Sequence, residues 1–158
     1  MKIAIVADSH GDVSLLERQK DLLNECDLLL HLGDYDQDVD KIMKFSDIKT
    51  EAVRGNNDYS SRFDREKILN IGGYKFFLTH GNRYNVYFGT QSLYYKAREI
   101  GADIVLYGHT HLYNFEDHGD VKILNPGSLS LSRDGINSFV ILEFTGFDIK
   151  INKIEEKR

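Results

Sequence analysis

Five short polar segments of the chain contain the aspartate, asparagine and histidine side chains that bind divalent metal ions. They are VADSHG (6–11), LGDYD (32–36), VRGNND (53–58), FFLTHG (76–81) and YGHTH (107–111). Asp8 and His10 are two residues apart, and so are His109 and His111. In extended backbone the side chains of such a pair point to the same side, so each pair can reach one centre. Of the 6 histidines, four lie in these segments, which favours a shared site over scattered turn residues.

The side chains of these segments predict a metal site with oxygen and nitrogen ligands. The candidate ligands are Asp8, His10, Asp34, Asn56, His80, His109 and His111. Such a set suits Mn²⁺, Fe²⁺, Co²⁺, Ni²⁺ or Zn²⁺ and disfavours a structural zinc site built from thiolates. The set is too large for one ion and suits two ions that share a carboxylate. Each motif alone has an ordinary alternative as turn chemistry, and only the combination carries the prediction.

Two further histidines are given no ligand role. His31 lies inside an apolar run, where it is a core residue or a residue that supports the ligands. His118 lies between polar residues and is expected in an exposed turn.

The apolar runs before the polar segments predict the strands that position them. Residues 3–7, 27–34 and 49–55 read as strands, and helical stripes fall at 13–25 and at Val39, Ile42 and Met43. Asp36 or Asp38 is the expected N-cap of this second helix. The first third is therefore βαβαβ, which predicts a mainly parallel sheet with right-handed crossovers. Ligands of such sheets bind outside the carboxyl ends of the strands, so the polar segments are expected to meet there.

The second half of the sequence is richer in hairpins. Gly72 and Gly73 separate two apolar runs and predict a hairpin. Leu93 to Ile100 carries a helical stripe that Gly101 ends. A buried strand at 103–111 follows, and then two more hairpins at 113–128 and 137–154. The fold class is α/β.

Composition limits the classes of function. The chain has 158 residues, of which 41% are hydrophobic and 28% charged, and this predicts a single domain over residues 1–158. A net charge of -5 without a basic stripe argues against a nucleic-acid polymer as partner. One cysteine, Cys26, excludes an internal disulfide and suits the cytoplasm. No apolar run reaches spanning length, so no membrane partner is expected, and a homo-oligomer is left open.

In order along the chain, the motifs resemble those of the calcineurin-like metallophosphoesterases. They are D-x-H (Asp8, His10), G-D (Gly33, Asp34), G-N (Gly55, Asn56), H-G (His80, Gly81) and G-H-x-H (Gly108, His109, His111). NPGS (125–128) also matches the small bacterial and archaeal phosphodiesterase branch, so the resemblance spans residues 8–128. It implies a metallo-dependent phosphatase fold, a four-layer α/β/β/α sandwich with two mixed β-sheets.

The resemblance also implies how two ions would be held. Asp8, His10, Asp34 and His111 would hold one ion; Asp34, Asn56, His80 and His109 would hold the other. Asp34 would bridge the pair. Manganese is the expected metal, with Ni²⁺, Zn²⁺, Fe²⁺ or Co²⁺ as alternatives. A bridging water, acidified to hydroxide, would attack phosphorus in line with the leaving oxygen.

The sequence departs from the family at the position after Asn56. Many relatives have G-N-H-[DE], whose histidine is the acid for the leaving group, and the small branch often has cysteine there. Here Asn57 and Asp58 occupy these positions and are the candidate catalytic residues. An amide does not donate a proton as imidazolium does, so the proton comes from elsewhere or the leaving group is good enough without it. Asp58 has an alternative as a turn or cap residue.

Substrate contacts are predicted at Asn56, Asn82 and Arg83, where Asn82 replaces a histidine that branch members often carry. The expected activity is metal-dependent hydrolysis of small, nucleotide-like phosphodiesters. A phosphomonoesterase or nucleotide pyrophosphatase of the same fold is the enzymatic alternative. A non-catalytic scaffold like the retromer subunit of this fold is the alternative from another class, although every ligand position here carries a competent residue.

Overall fold

The computed structural model describes residues 1–146 and 148–158, which form ten strands and four α-helices. The strands are β1 (Lys2–Val6), β2 (Leu28–His31), β3 (Thr50–Ala52), β4 (Glu66–Ile71), β5 (Tyr74–Thr79), β6 (Ile104–Leu106), β7 (Tyr113–Asp117), β8 (Lys122–Pro126), β9 (Ile136–Thr145) and β10 (Asp148–Lys157). The helices are α1 (Ser14–Arg18), α2 (Lys20–Asn24), α3 (Asp38–Ile42) and α4 (Gln91–Ile100), with short 3-10 segments at Asn82–Tyr84 and Val86–Phe88. The predicted last hairpin turn includes Phe147, which lies outside the described residues.

The strands form two mixed sheets of five strands each. The first sheet has the order β10-β9-β1-β2-β3, and the second has the order β4-β5-β6-β8-β7. Within the first sheet β1, β2 and β3 are parallel, whereas β9 runs antiparallel to both β1 and β10. Within the second sheet β5, β6 and β8 are parallel, whereas β4 and β7 are antiparallel edge strands. The three predicted hairpins are confirmed as β4–β5, β7–β8 and β9–β10.

Alternation of side chains along the strands produces four layers. Ile3 and Ile5 of β1 face the second sheet, where they join Phe76 and Leu78 of β5 in the central core. The intervening residues of β1 pack under α1 and α2. Phe77 of β5 turns the other way, towards α4. Successive side chains of a strand point to opposite faces, so each central strand is buried on both sides. The predicted α/β/β/α sandwich is confirmed.

Some element boundaries differ from the predictions. The predicted helix 13–25 is interrupted at Gln19, whose backbone leaves the helical region (φ -103°, ψ 22°). The helix predicted to include Met43 ends at Ile42, so the Met43 side chain is 60% exposed. The predicted N-cap is also wrong: the cap position is Gln37, and Asp38 is the first helical residue. The Asp38 carboxylate instead accepts hydrogen bonds from Ser9 and from the backbone of Gly11.

Within the described ranges, 1–146 and 148–158, no helix combines the length and the apolar character that crossing a bilayer requires.

Candidate metal centre

The five polar segments follow the carboxyl ends of β1, β2, β3, β5 and β6. These are parallel strands of their respective sheets, so the segments leave both sheets on the same side of the sandwich. Loops from the two sheets contact each other there. The backbone N–H of His109 donates to Asp8 Oδ2 at 2.9 Å, and His80 Nδ1 lies 2.8 Å from the carbonyl of Leu32. The edge predicted from the sequence is therefore where the candidate ligands meet.

Four of the predicted ligands form one group, Asp8, His10, Asp34 and His111, with one ligand atom from each within 4.8 Å of the others. His10 Nε2 lies 3.2 Å from His111 Nε2 and 3.7 Å from Asp34 Oδ2. His111 Nε2 lies 3.3 Å from Asp8 Oδ1. Two imidazole nitrogens and two carboxylates thus face one small space.

Asp34 also belongs to a second group, with His80 and His109. His80 Nε2 lies 3.4 Å from Asp34 Oδ1 and 3.2 Å from His109 Nδ1. Asp34 is 2% exposed, so its carboxylate is enclosed between the two groups. This is the geometry of a carboxylate that two cations could share.

The backbone of the ligand residues is strained. Asp8, His10, Asp34, His109 and His111 all have positive φ, between 45° and 71°. Non-glycine residues rarely adopt this region, and they keep it only where the surrounding structure enforces it. Such strain concentrates at functional sites. The positive φ angles also explain why the predicted strand at 27–34 ends at His31: Asp34 has a conformation that no strand continues.

A buried polar atom tests whether these residues fit a cation. Asp8 is fully buried, and its Oδ1 atom has no hydrogen-bond partner among the described residues. Burying a carboxylate oxygen without a partner costs several kcal/mol unless a proton or a cation compensates it. Oδ1 points towards the imidazoles of His80, at 3.9 Å, and His111, at 3.3 Å. The residues therefore fit a metal ion held between carboxylates and neutral imidazoles.

The histidine rings are fixed by backbone carbonyls behind them. His80 Nδ1 lies 2.8 Å from the carbonyl of Leu32, and His111 Nδ1 lies 2.8 Å from the carbonyl of Leu131. Because a carbonyl only accepts, each Nδ1 carries the proton and each Nε2 is directed at the centre. This orientation of an imidazole by an outer hydrogen bond is characteristic of metal-binding histidines.

The acid–base properties of the centre follow from the same contacts. Burial opposes the charge of Asp34, but hydrogen bonds from His80 and Asn57 hold the pKa of its carboxyl well below its usual range. Burial acts to lower the pKa of His80 and of His111, but the nearby carboxylates of Asp34 and Asp8 have the larger combined effect. Both pKa values are therefore raised. His109 has a lowered pKa because of burial and the neighbouring His80. The carboxylates thus attract positive charge, which a metal ion would supply in place of protons.

Behind the ligands lies a buried polar network. His31 is fully buried; its Nδ1 accepts the backbone N–H of Gly33 at 3.2 Å, so its proton lies on Nε2, 3.1 Å from Ser9 Oγ. Ser9 Oγ then donates to Asp38 Oδ2 at 2.7 Å. His31 therefore supports the loop that carries Asp8 and His10. This is one of the two roles predicted for it, that of a residue supporting the ligands. Ser9 and Asp38 were missed because serine and a helical aspartate carry no distinctive sequence signal.

Two glycines allow the second and third loops to touch. A Cβ atom on Gly33 would lie 2.5 Å from the backbone nitrogen of Gly55. A Cβ atom on Gly55 would lie 2.1 Å from Asp34 Oδ1. Gly55 is therefore required for close approach to the shared carboxylate.

The segment after β3 contains three of the predicted site residues. Asn56 is exposed, and no hydrogen bond joins its side chain to any residue in the described part of the chain. Asn57 donates to Asp34 twice, from its backbone N–H to Oδ1 at 3.0 Å and from Nδ2 to Oδ2 at 2.6 Å. The Asp58 carboxylate accepts four backbone N–H groups, those of Asp34, Tyr35, Asp36 and Gly55. Asp58 therefore has the hydrogen bonds of a turn residue, which is the alternative role that the sequence offered for it.

The two other predicted substrate contacts lie after β5. Asn82 is half-buried and Arg83 is exposed, both in the 3-10 segment that follows Gly81. No side-chain hydrogen bond ties either of them to the rest of the described chain. His118 is exposed and contacts Glu116 at 3.0 Å, as expected of a turn residue.

Comparisons with known proteins show which family the chain resembles. The model of the calcineurin-like phosphoesterase superfamily domain matches residues 1–146. The "Probable metallophosphoesterase YsnB" of Bacillus subtilis is 33% identical over 84% of the chain and 78% of its own length. A protein named a phosphodiesterase, from Methanocaldococcus jannaschii, is 30% identical over 90% of the chain and 93% of its own length.

Solved structures agree on the fold. A predicted phosphoesterase from Streptococcus pneumoniae superposes with a TM-score of 0.78 at 27% identity, covering 99% of this chain and 97% of that one. Vps29 of Entamoeba histolytica, solved with zinc, superposes with a TM-score of 0.77 at 21% identity, covering 98% and 99% of the two chains.

Proposed function

The chain belongs to the calcineurin-like phosphoesterase superfamily and is a metal-dependent phosphoesterase; on that premise, we propose that it hydrolyses small phosphodiesters at a centre of two divalent ions. The observation that carries the proposal is Asp34, a buried carboxylate that faces two separate groups of candidate ligands. A single-ion site would need no shared carboxylate.

We assign the ions to the chain's own residues as follows. Asp8, His10, Asp34 and His111 would hold one ion, and Asp34, His80 and His109 would hold the other. Asn56, which belongs to neither group, would add a carbonyl ligand. Two divalent ions in these positions supply a nucleophilic water at neutral pH and neutralise phosphoryl charge. The strained loops hold the ligands in place, the carbonyls of Leu32 and Leu131 aim the imidazoles, and the close packing around Asp8 and Asp34 excludes bulk water. Manganese is the proposed metal.

At the position after Asn56 the chain has an amide, Asn57, instead of a titrating acid for the leaving group. Asn57 lies against the Asp34 carboxylate and donates to both of its oxygens, so its role is to orient Asp34. Asp58 accepts hydrogen bonds from the loop after β2 and from Gly55, and so holds the loops after β2 and β3 together. Without an acid at this position, diesters with good leaving groups are the preferred substrates.

A comparison of two esters tests the proposal. The manganese-loaded protein should hydrolyse bis-p-nitrophenyl phosphate faster than p-nitrophenyl phosphate. His111→Ala should abolish this activity, whereas His118→Ala, a matched change at an exposed turn, should leave it intact. A clear preference for the monoester would contradict the diester assignment and favour the phosphomonoesterase alternative.

The scaffold alternative rests on the shared fold of Vps29. A protein that serves only as a scaffold has no need to maintain strained, convergent ligands, and here five candidate ligands keep positive φ. Because Vps29 was itself solved with zinc, the alternative predicts only that the metal-loaded protein hydrolyses no phosphoester. Measuring both hydrolysis rates on protein of known metal content therefore separates the two functions.

A further inference from the structure

An arginine and a tyrosine lie together beside the candidate metal centre. The Arg133 guanidinium carbon is 5.0 Å from the ring centroid of Tyr87, and Arg133 Nη2 donates to the Tyr87 hydroxyl at 2.7 Å. Neither residue belongs to the polar segments singled out in the sequence. Both come from stretches that follow the second sheet's strands, Tyr87 after β5 and Arg133 after β8.

Each member of this pair is tied to a different candidate ligand. The Tyr87 hydroxyl donates to the carbonyl of His109 at 3.0 Å, and its ring centroid lies 4.9 Å from that of His109. The backbone N–H of Arg133 donates to the carbonyl of His111 at 3.3 Å. The Tyr87–Arg133 pair therefore borders both ion groups, because His109 belongs to one and His111 to the other.

The charge of Arg133 is available for a ligand. No carboxylate of the described residues forms an ion pair with it, although Arg18, Arg62 and Arg98 are each paired with an acid. Lys41, which bonds to the loop after β1, is also paired, with Asp38 at 2.8 Å. One N–H of Arg133 is used on Tyr87; of the five donors of a guanidinium, the remaining ones have no partner within the described chain. Arg83 also has no ion pair within the described residues; Arg133 differs from it in its contacts with Tyr87 and with the backbone of His111.

We propose that Arg133 is a substrate-binding residue that donates to a non-bridging phosphoryl oxygen of the diester, with Tyr87 as the residue that positions it. A guanidinium matches the oxygens of a phosphoryl group with two parallel donors, and its charge does not depend on pH. Holding the guanidinium against an aromatic ring lowers the conformational entropy lost when phosphate binds. The inference rests on the proposed function, since it names the residue that binds the substrate of that centre.

Four variants test this assignment in the manganese-loaded protein. Arg133→Met removes the charge and keeps an unbranched side chain of similar length. Arg133→Lys keeps a positive charge but lacks the two parallel N–H donors of a guanidinium. Tyr87→Phe removes the hydroxyl that anchors the guanidinium. Arg98→Met is the matched control, because Arg98 is an exposed arginine of α4 that is paired with Asp120 and contacts no candidate ligand among the described residues. The readouts are the Kd for inorganic phosphate from isothermal titration, KM and kcat for bis-p-nitrophenyl phosphate, and metal content.

We expect Arg133→Met to raise both the phosphate Kd and KM by about tenfold, the effect of one charge-assisted hydrogen bond, with unchanged metal content. Arg133→Lys should recover part of this loss, and Tyr87→Phe should raise KM by less, about threefold, with little change in kcat. Arg98→Met should match the wild type. Should the methionine variant fail to fold, Arg133→Gln makes the same test.

Wild-type phosphate affinity and KM in Arg133→Met would overturn the assignment. Equal effects of Arg98→Met and Arg133→Met would overturn it as well, since they would reveal a general charge effect. If the wild-type protein hydrolyses neither ester, the proposed function fails. The phosphate titration still decides the role of Arg133 in that case, because it needs no turnover.

Discussion

At the scale of single residues, the neighbours Asn56 and Asn57 differ in their hydrogen bonds. Both are exposed, but Asn57 donates a backbone and a side-chain hydrogen bond to Asp34, whereas the Asn56 side chain has no hydrogen bond within the described residues. The sequence assigned the ligand role to Asn56 and the catalytic position to Asn57 through family resemblance. The contacts give Asn57 an orienting role that no sequence pattern indicated, because it depends on the exact approach of two loops.

Replacing Asn57 by histidine tests whether an acid at this position could protonate the leaving group. We expect Asn57→His to raise the hydrolysis rate of diesters with alkyl leaving groups by at least about tenfold, since a positioned imidazolium contributes acid catalysis. Esters with p-nitrophenol, which leaves without protonation, should change little. Rates across diesters of graded leaving-group pKa measure this, with metal content as the control. An unchanged dependence on the leaving group would mean that an acid at this position does not protonate it.

Cys26 is the one thiol in the sequence and lines a cavity of about 600 Å³ at the edge of the first sheet away from the centre. Burial raises the pKa of this thiol to about 11. The thiolate, which is the reactive form, is therefore scarce at neutral pH. We expect iodoacetamide to label the folded protein slowly at pH 8 and the urea-unfolded protein quickly, as followed by mass spectrometry. Equal labelling rates would show that the thiol is not protected by the fold.

At the scale of elements, the contact between the loops after β2 and β3 depends on the absence of a side chain at position 55. A Cβ atom in Gly55→Ala would lie 2.1 Å from Asp34 Oδ1, so the shared carboxylate would have to move. We expect this variant to lose manganese affinity by at least about tenfold, as observed when the support of a metal ligand is disturbed. Isothermal titration with Mn²⁺ measures the change.

Gly119→Ala is the control for that variant. Gly119 has φ +84° and no atom within 4 Å of an added Cβ, so the substitution costs only backbone strain of about 1 kcal/mol. Its manganese affinity should equal that of the wild type. A similar loss of affinity in both variants would point to general destabilisation instead of displacement of Asp34.

There is also a physical reason why some elements could be predicted from the sequence and others could not. Strands such as β1 and β5 are apolar on both faces, so their existence follows from the sequence, and Gly72, Gly73 and Gly101 mark turns that only positive φ permits. The strands predicted at 27–34 and 103–111 are too long because Asp34, His109 and His111 adopt positive φ, which nothing in their side chains reveals. Tyr87 and Arg133 were missed for another reason: they approach the centre only through the packing of distant loops.

At the scale of the whole molecule, the centre joins the two sheets. Asp8 and Asp34 follow strands of the first sheet, and His80 and His109 follow strands of the second. A bound cation would therefore connect both halves of the sandwich and stabilise the native state over the unfolded one.

Metal removal should accordingly lower the stability of the entire fold. We expect a chelator to reduce the Tm of the manganese-loaded protein by about 5 °C or more, because a ligand present at 100 times its Kd contributes about 2.7 kcal/mol. Differential scanning calorimetry with and without chelator measures the difference, and added Mn²⁺ should reverse it. The same Tm in both conditions would mean that no ion binds the native state preferentially.

The stoichiometry of metal binding tests the central claim most directly. Titration of Mn²⁺ into the metal-free protein, followed by isothermal calorimetry, should reach two ions per chain, one for each group that shares Asp34. Asp34→Asn should lose at least one of these ions, and Asp47→Asn, at an exposed position, should lose none. A wild-type stoichiometry of one ion or none, or a full two ions in Asp34→Asn, would contradict a centre built on the shared carboxylate.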